Sequence, residues 1–166
     1  PMNGRELYQG QAKFSFQLGG WGKFALSGIG SRSTFRDYSH DLQFVPDGDA
    51  TKRDKSYNLT GLWTHTLGSA TFYTLNLSYL YKKFQEYQFE NPLDTLQLIN
   101  PSLPVKPLYA FNTFNTSNHH FERRTETRVA KFDITSQLDK LIQVKGGVEG
   151  RLHRLYFQDY NTTYDN

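Results

Sequence analysis

The residue types able to do chemistry are present in this chain, but they are scattered. The five histidines, His40, His65, His119, His120 and His153, fall in loops and at strand ends. His119-His120 with Glu122 comes nearest to a metal-ligating cluster, yet adjacent side chains seldom ligate one ion together. Asp47, Asp49 and Asp54 share a short acidic stretch, but the twelve-residue calcium loop with its terminal bidentate Glu is missing. No serine sits in a nucleophile elbow, and Gly28-Ile29-Gly30 lacks the strand-to-helix context of a phosphate loop. Cysteine is absent, which removes disulfides and thiolate sites together. The sequence therefore predicts no enzyme, no metal site and no cofactor.

What remains is binding chemistry, carried by aromatic and basic side chains. There are 11 Tyr and 13 Phe against one Met. Tyr109, Phe111, Phe114 and Phe121 stand in a long irregular stretch, 84–124, where rings either stack on a ligand or cover apolar surface. Beside them, Arg123, Arg124 and Arg128 form a basic cluster that reads as a contact for anionic lipopolysaccharide or an acidic solute or as a solvated rim, with Glu122 and Glu126 halving its field. The net charge of +3 arises from 19 basic and 16 acidic residues mixed along the chain. No nucleic-acid partner is expected from such a balance.

The elements that must position these residues are strands. Apolar residues make up only 37% of the chain while aromatics reach 16%, a balance suited to half-polar strands rather than helices. The clearest case is 72–82, where Tyr73, Leu75, Leu77, Tyr79 and Tyr81 alternate with Thr74, Asn76, Ser78 and Lys82. Period-2 alternation places the two sets on opposite faces. Similar patterns predict strands near 8–18, 23–32, 56–66, 125–138 and 142–155. Their apolar positions recur at two and not at three or four, which excludes amphipathic helix.

Connection lengths alternate. Short turns are expected at Gly19-Gly20, Gly68-Ser69 and Asp139-Lys140, and long loops at 33–55 and 84–124, the latter holding Pro92, Pro101, Pro104 and Pro107. In an antiparallel meander all the short turns then fall on one rim and both long loops on the other. Outer-membrane barrels have this asymmetry, and their strands need about 9–11 residues, more than most soluble strands. The opposing face carries Lys131, Asp133, Gln137, Lys145, Glu149 and Arg151, costly in a dry core but comfortable in a watery lumen. Tyr73, Leu75, Leu77, Tyr79 and Tyr81 are accordingly expected to face lipid. No run of 18 apolar residues exists, so no transmembrane helix is predicted. Pro1-Met2-Asn3-Gly4 does not read as a signal peptide.

Two stretches resemble strand-turn-strand units of TonB-dependent outer-membrane receptors, particularly the large barrels of the Bacteroidetes. The first is Leu62-Trp63-Thr64-His65-Thr66-Leu67 with Thr71-Phe72-Tyr73-Thr74-Leu75 and Leu77-Ser78-Tyr79. The second is Lys131-Phe132-Asp133-Ile134-Thr135-Ser136-Gln137-Leu138 with Gln143-Val144-Lys145-Gly146-Gly147-Val148-Glu149 and His153-Arg154-Leu155. The resemblance implies a section of a 22-stranded barrel in the bacterial outer membrane, importing a nutrient with energy passed through a TonB complex. No plug domain or TonB-binding segment is recognisable, and six strands cannot close a lipid-facing barrel. The expected partners are therefore outer-membrane lipid, the remaining barrel and plug, and the TonB complex through the full-length receptor. The expected fold class is all-β, an antiparallel meander forming part of a transmembrane barrel. The rival expectation is a soluble β-sandwich or small-barrel binding module for carbohydrate, with its apolar faces packed on each other.

Overall fold

The computed structural model describes residues 4–45, 47–92 and 117–162. Six antiparallel strands form one sheet in sequence order: β1 (Arg5–Gln17), β2 (Lys23–Phe35), β3 (Thr51–Thr66), β4 (Thr71–Tyr87), β5 (His119–Gln137) and β6 (Gln143–Asn161). Two single 3-10 turns, Gly19–Trp21 and His40–Leu42, interrupt the connections, and no α-helix occurs among the described residues. The all-β meander expected from the alternation is thus present. The strands run to 13–19 residues, beyond the expected bounds. β1 starts earlier, and β2 to β6 all extend farther on the long-connection side. The long loops shrink correspondingly, from 33–55 to 36–50 and from 84–124 to 88–118. Charged residues such as Arg53 and Glu122 hide these extensions from an apolar-periodicity reading, because they interrupt the alternation on both faces.

All three short connections lie on one rim. Leu18 N–H donates to Gly22 O at 2.8 Å, Leu67 N–H to Thr71 O at 2.8 Å, and Leu138 N–H to Ile142 O at 3.0 Å, each closing a turn. Gly22 has φ +100°, and a Cβ there would stand 2.2 Å from the Thr64 carbonyl oxygen. Only glycine fits where the first turn passes this close to β3. The opposite rim carries the two long connections. The base of the first is tied by Arg36, which donates to Thr51 Oγ1 at 2.9 Å and to Asp47 at 2.6 Å. Gln88 joins both loop bases, donating to the Asp47 carbonyl at 2.8 Å and accepting from Ser117 N–H at 2.6 Å.

Register sorts every side chain to one of two faces. On the first, hydrogen-bonded neighbours form rows across the sheet. One row reads Phe16, Phe24, Trp63, Leu75, Phe132, Val148, and the next reads Phe14, Leu26, Gly61, Leu77, Ala130, Gly150. Farther toward the long loops the same face carries Ala12, Gly28, Leu59, Tyr79, Arg128 and Leu152, then Gly10, Gly30, Tyr57, Tyr81, Glu126 and Arg154. Toward the turns it closes with the hydroxyl pair Thr71–Ser136 at 2.8 Å. The second face is polar through the same stretch: Ser27, Thr60, Ser78, Val129 and Arg151 share one row, and Lys23, Thr64, Thr74, Asp133 and Gly147 another.

Among the described residues, no second layer covers either face. Leu42 and Ala50, both at the base of the first long connection, are the only buried apolar residues among those described. The chain exposes 12222 Å², whereas a compact chain of 19.3 kDa would expose roughly 8500 Å². Phe14, Leu26, Leu59, Leu77, Phe132 and Val148 are each more than a third exposed. Fully burying such side chains is worth roughly 1.5–3 kcal/mol apiece, so this face requires an apolar partner. The edges are open as well, since β1 pairs only with β2, and β6 only with β5. Two sheets packed face to face, as the sandwich alternative requires, do not occur among the described residues.

Candidate functional site

The expected membrane-facing residues Tyr73, Leu75, Leu77, Tyr79 and Tyr81 share the apolar face. Cross-strand contacts on that face are dominated by rings. Tyr57 stacks on Tyr81 at 4.9 Å and 17°, Phe24 meets Trp63 at 6.4 Å, and Tyr73 meets Phe132 at 5.7 Å. Tyrosines gather where apolar rows give way to charge, at Tyr57, Tyr79 and Tyr81, with Tyr8 and Tyr156 one row beyond. Amphipathic rings suit such a boundary, their bodies on apolar surface and their hydroxyls toward water.

The residues expected to bind ligand do not form one cluster. Tyr109, Phe111 and Phe114 lie outside the described residues. Phe121 and Arg123 project from the polar face of β5, while Arg124 and Arg128 project from its apolar face. Neighbours along a strand must point apart, so Arg123-Arg124 divides between two surfaces. The same rule separates His119 from His120. His119 approaches Asp159 on the polar face at 2.9 Å, and His120 stacks between Tyr87 (5.7 Å, 11°) and Tyr160 (5.2 Å, 10°) on the other. The acidic residues also part: Asp47 pairs with Arg36, Asp49 accepts from Ala50 N–H at 2.7 Å, and Asp54 lies 3.7 Å from Lys82.

On the polar face, near the long-loop rim, an aromatic shelf surrounds Arg123. Its register partners are Phe84 on β4 and Phe157 on β6. Phe121 meets Phe84 edge-on at 5.8 Å and Phe157 edge-on at 5.4 Å, joining three rings into one surface. Phe157 is 65% exposed, and Leu155 beside it is 74% exposed. Lys82, Asp54 and the His119–Asp159 pair border the shelf. Compared with protein families, curated proteins and solved structures, the chain has no match. Chemistry at the shelf must therefore be read from its own groups. It offers stacking surface and the Arg123 guanidinium, which has no ion pair among the described residues, and this suits a ring-bearing solute with an anionic group.

Sequence reading missed Phe84 and Phe157. Phe84 lies just beyond the expected end of β4 and Phe157 beyond that of β6, so neither had an assigned face. The available signal was the period-2 spacing of Leu80, Lys82 and Phe84, continuing past the Lys82-Lys83 charge pair.

Proposed function

We propose that this chain is a wall section of a bacterial outer-membrane barrel of the TonB-dependent receptor type. Lipid covers the apolar face and water the polar face. The remaining strands and plug belong to the full-length receptor, which the TonB complex energises to import a nutrient. The aromatic shelf around Arg123 is part of the surface that the nutrient meets. One observation carries this reading: a single sheet, uncovered among the described residues, with an apolar band on one face, charged on β5 at Arg128 and Glu126, and a polar opposite face. On β4 the band runs from Tyr73 to Tyr81, nine residues, matching the roughly 9–11 that a tilted spanning strand needs. The sequence resemblance and the sorting of short and long connections to opposite rims support it.

The absence of cysteine allows a clean test. Leu77→Cys and Asn76→Cys are labelled with an environment-sensitive fluorophore and the protein is reconstituted in phosphatidylcholine vesicles. Quenching by lipid-borne nitroxide at position 77 and by aqueous iodide at position 76 is expected. A monomer stable in detergent-free buffer, with iodide reaching both positions equally, would overturn the proposal.

A further inference from the structure

On the polar face Arg123 stands in a niche of rings. Phe84 and Phe157 lie directly beside it in register, one strand away on either side, and Phe121 closes the rim side one row farther along β5. Phe121 meets both flanking rings edge-on, at 70° and 88°. The niche is therefore walled on three sides and open toward the turns, where Leu155 continues the apolar surface along β6. Phe157 and Leu155 are exposed, as is Arg123 itself.

The charges beside the niche have partners, and Arg123 has none among the described residues. Lys82, one row toward the turns, lies 3.7 Å from Asp54, and Asp159, one row toward the rim, lies 2.9 Å from His119. Glu86 is the register partner of Lys52, which also pairs with Asp37. Glu86 and Asp159 flank Phe121 in the rimward row. A ligand whose second negative charge reached past the rings would meet these carboxylates. Phenylalanine rings carry no hydroxyl or N–H, so the walls offer little to a polyol and much to an aryl group. A lone guanidinium is a two-pronged donor matched to one carboxylate.

We infer that the niche binds a monoanionic aryl carboxylate, its ring over Phe157 and Leu155 and its carboxylate on Arg123. Adjacent strands are roughly 4.8 Å apart, so an acid group carried one carbon from the ring reaches from β6 to Arg123 on β5. This names the solute class for the surface assigned above to the nutrient, and it rests on that reading for its place in import.

The test follows the fluorine NMR signal of para-fluorophenylacetate added to the full chain in maltoside micelles, with empty micelles subtracted. Broadening by the protein is expected, reversed by unlabelled phenylacetate and not by equal concentrations of phenylacetamide or maltotriose. Para-carboxyphenylacetate, with its second carboxylate, should compete about fivefold more weakly than phenylacetate. Arg123→Gln should weaken binding about tenfold, Arg123→Lys less, and Phe157→Ala about fivefold. Arg124→Gln removes the same charge from the opposite face and should leave binding unchanged. Displacement by maltotriose, equal competition by the amide or the diacid, or equal losses in Arg123→Gln and Arg124→Gln would refute the site. Competition on the parent protein decides the question even where a variant fails to fold. Lipid quenching at position 77 without probe binding removes this inference and leaves the wall reading standing. Probe binding with iodide reaching positions 76 and 77 equally keeps the solute class and removes the wall reading.

Discussion

Individual residues decide two local balances in this sheet. His120 is 6% exposed between two tyrosine rings. Burial, with a smaller contribution from neighbouring His119, lowers its pKa below the usual 6.5. The folded state then holds fewer protons here than the unfolded state around that pH. The resulting stability is present above pH 6.5 and lost as pH falls through the lowered folded value. Proton NMR of His120 should show a midpoint below 6.5, with the Tyr87–His120–Tyr160 stack loosening on acidification, and His120→Phe should abolish the local pH response. Gly22 governs the other balance. Gly22→Ala combines a positive φ with a 2.2 Å approach to Thr64 O, and a loss of more than about 1 kcal/mol is expected in urea unfolding from micelles. Gly68→Ala, with open space around its Cβ position, should cost far less.

At the scale of the element, β4 carries the sharpest contrast. Leu77 and Asn76 are adjacent, yet their register partners are Ala130 with Gly61 and Lys131 with Leu62 respectively. A lysine on the lipid side near mid-bilayer costs about 2–4 kcal/mol, whereas lumen substitutions are tolerated. With the apolar face toward lipid, as we propose, Leu77→Lys should destabilise vesicle-bound protein by that amount, and Asn76→Lys should change it little, both read by reversible urea unfolding. This contrast was legible in the sequence because alternation assigns faces without knowledge of partners. The outer ends of the strands were not legible. Beyond Lys82 on β4 and before Thr125 on β5 charged residues break up the period-2 apolar signal, although the ladder continues through Gln85↔Glu122 and Glu86↔Phe121. Hydrogen bonding holds those segments as strand whatever their polarity. The shelf was half legible for the same reason: Phe121 and Arg123 stood out as an aromatic beside a charge, while Phe84 and Phe157 joined them only through register.

At the scale of the whole molecule, the described residues form one sheet whose only buried apolar side chains are Leu42 and Ala50. The exposed area is 12222 Å², and among the described residues both sheet edges lack a partner strand; their N–H and C=O groups template further pairing. In detergent-free buffer the chain should sediment as heterogeneous assemblies, and in micelles as a discrete species; analytical ultracentrifugation distinguishes the two. The sequence by itself determined the strands' existence, their two faces and the rim asymmetry, since these follow from a two-residue repeat and from glycine and proline placement along the chain. Tertiary structure decided which residues become neighbours. Register across five strand pairs gathered three phenylalanines around one arginine and drew Arg32, Lys55, Lys83 and Arg124 into a single row. Those four are separated by up to 92 positions in the chain. Only the antiparallel pairing sets them one strand spacing apart.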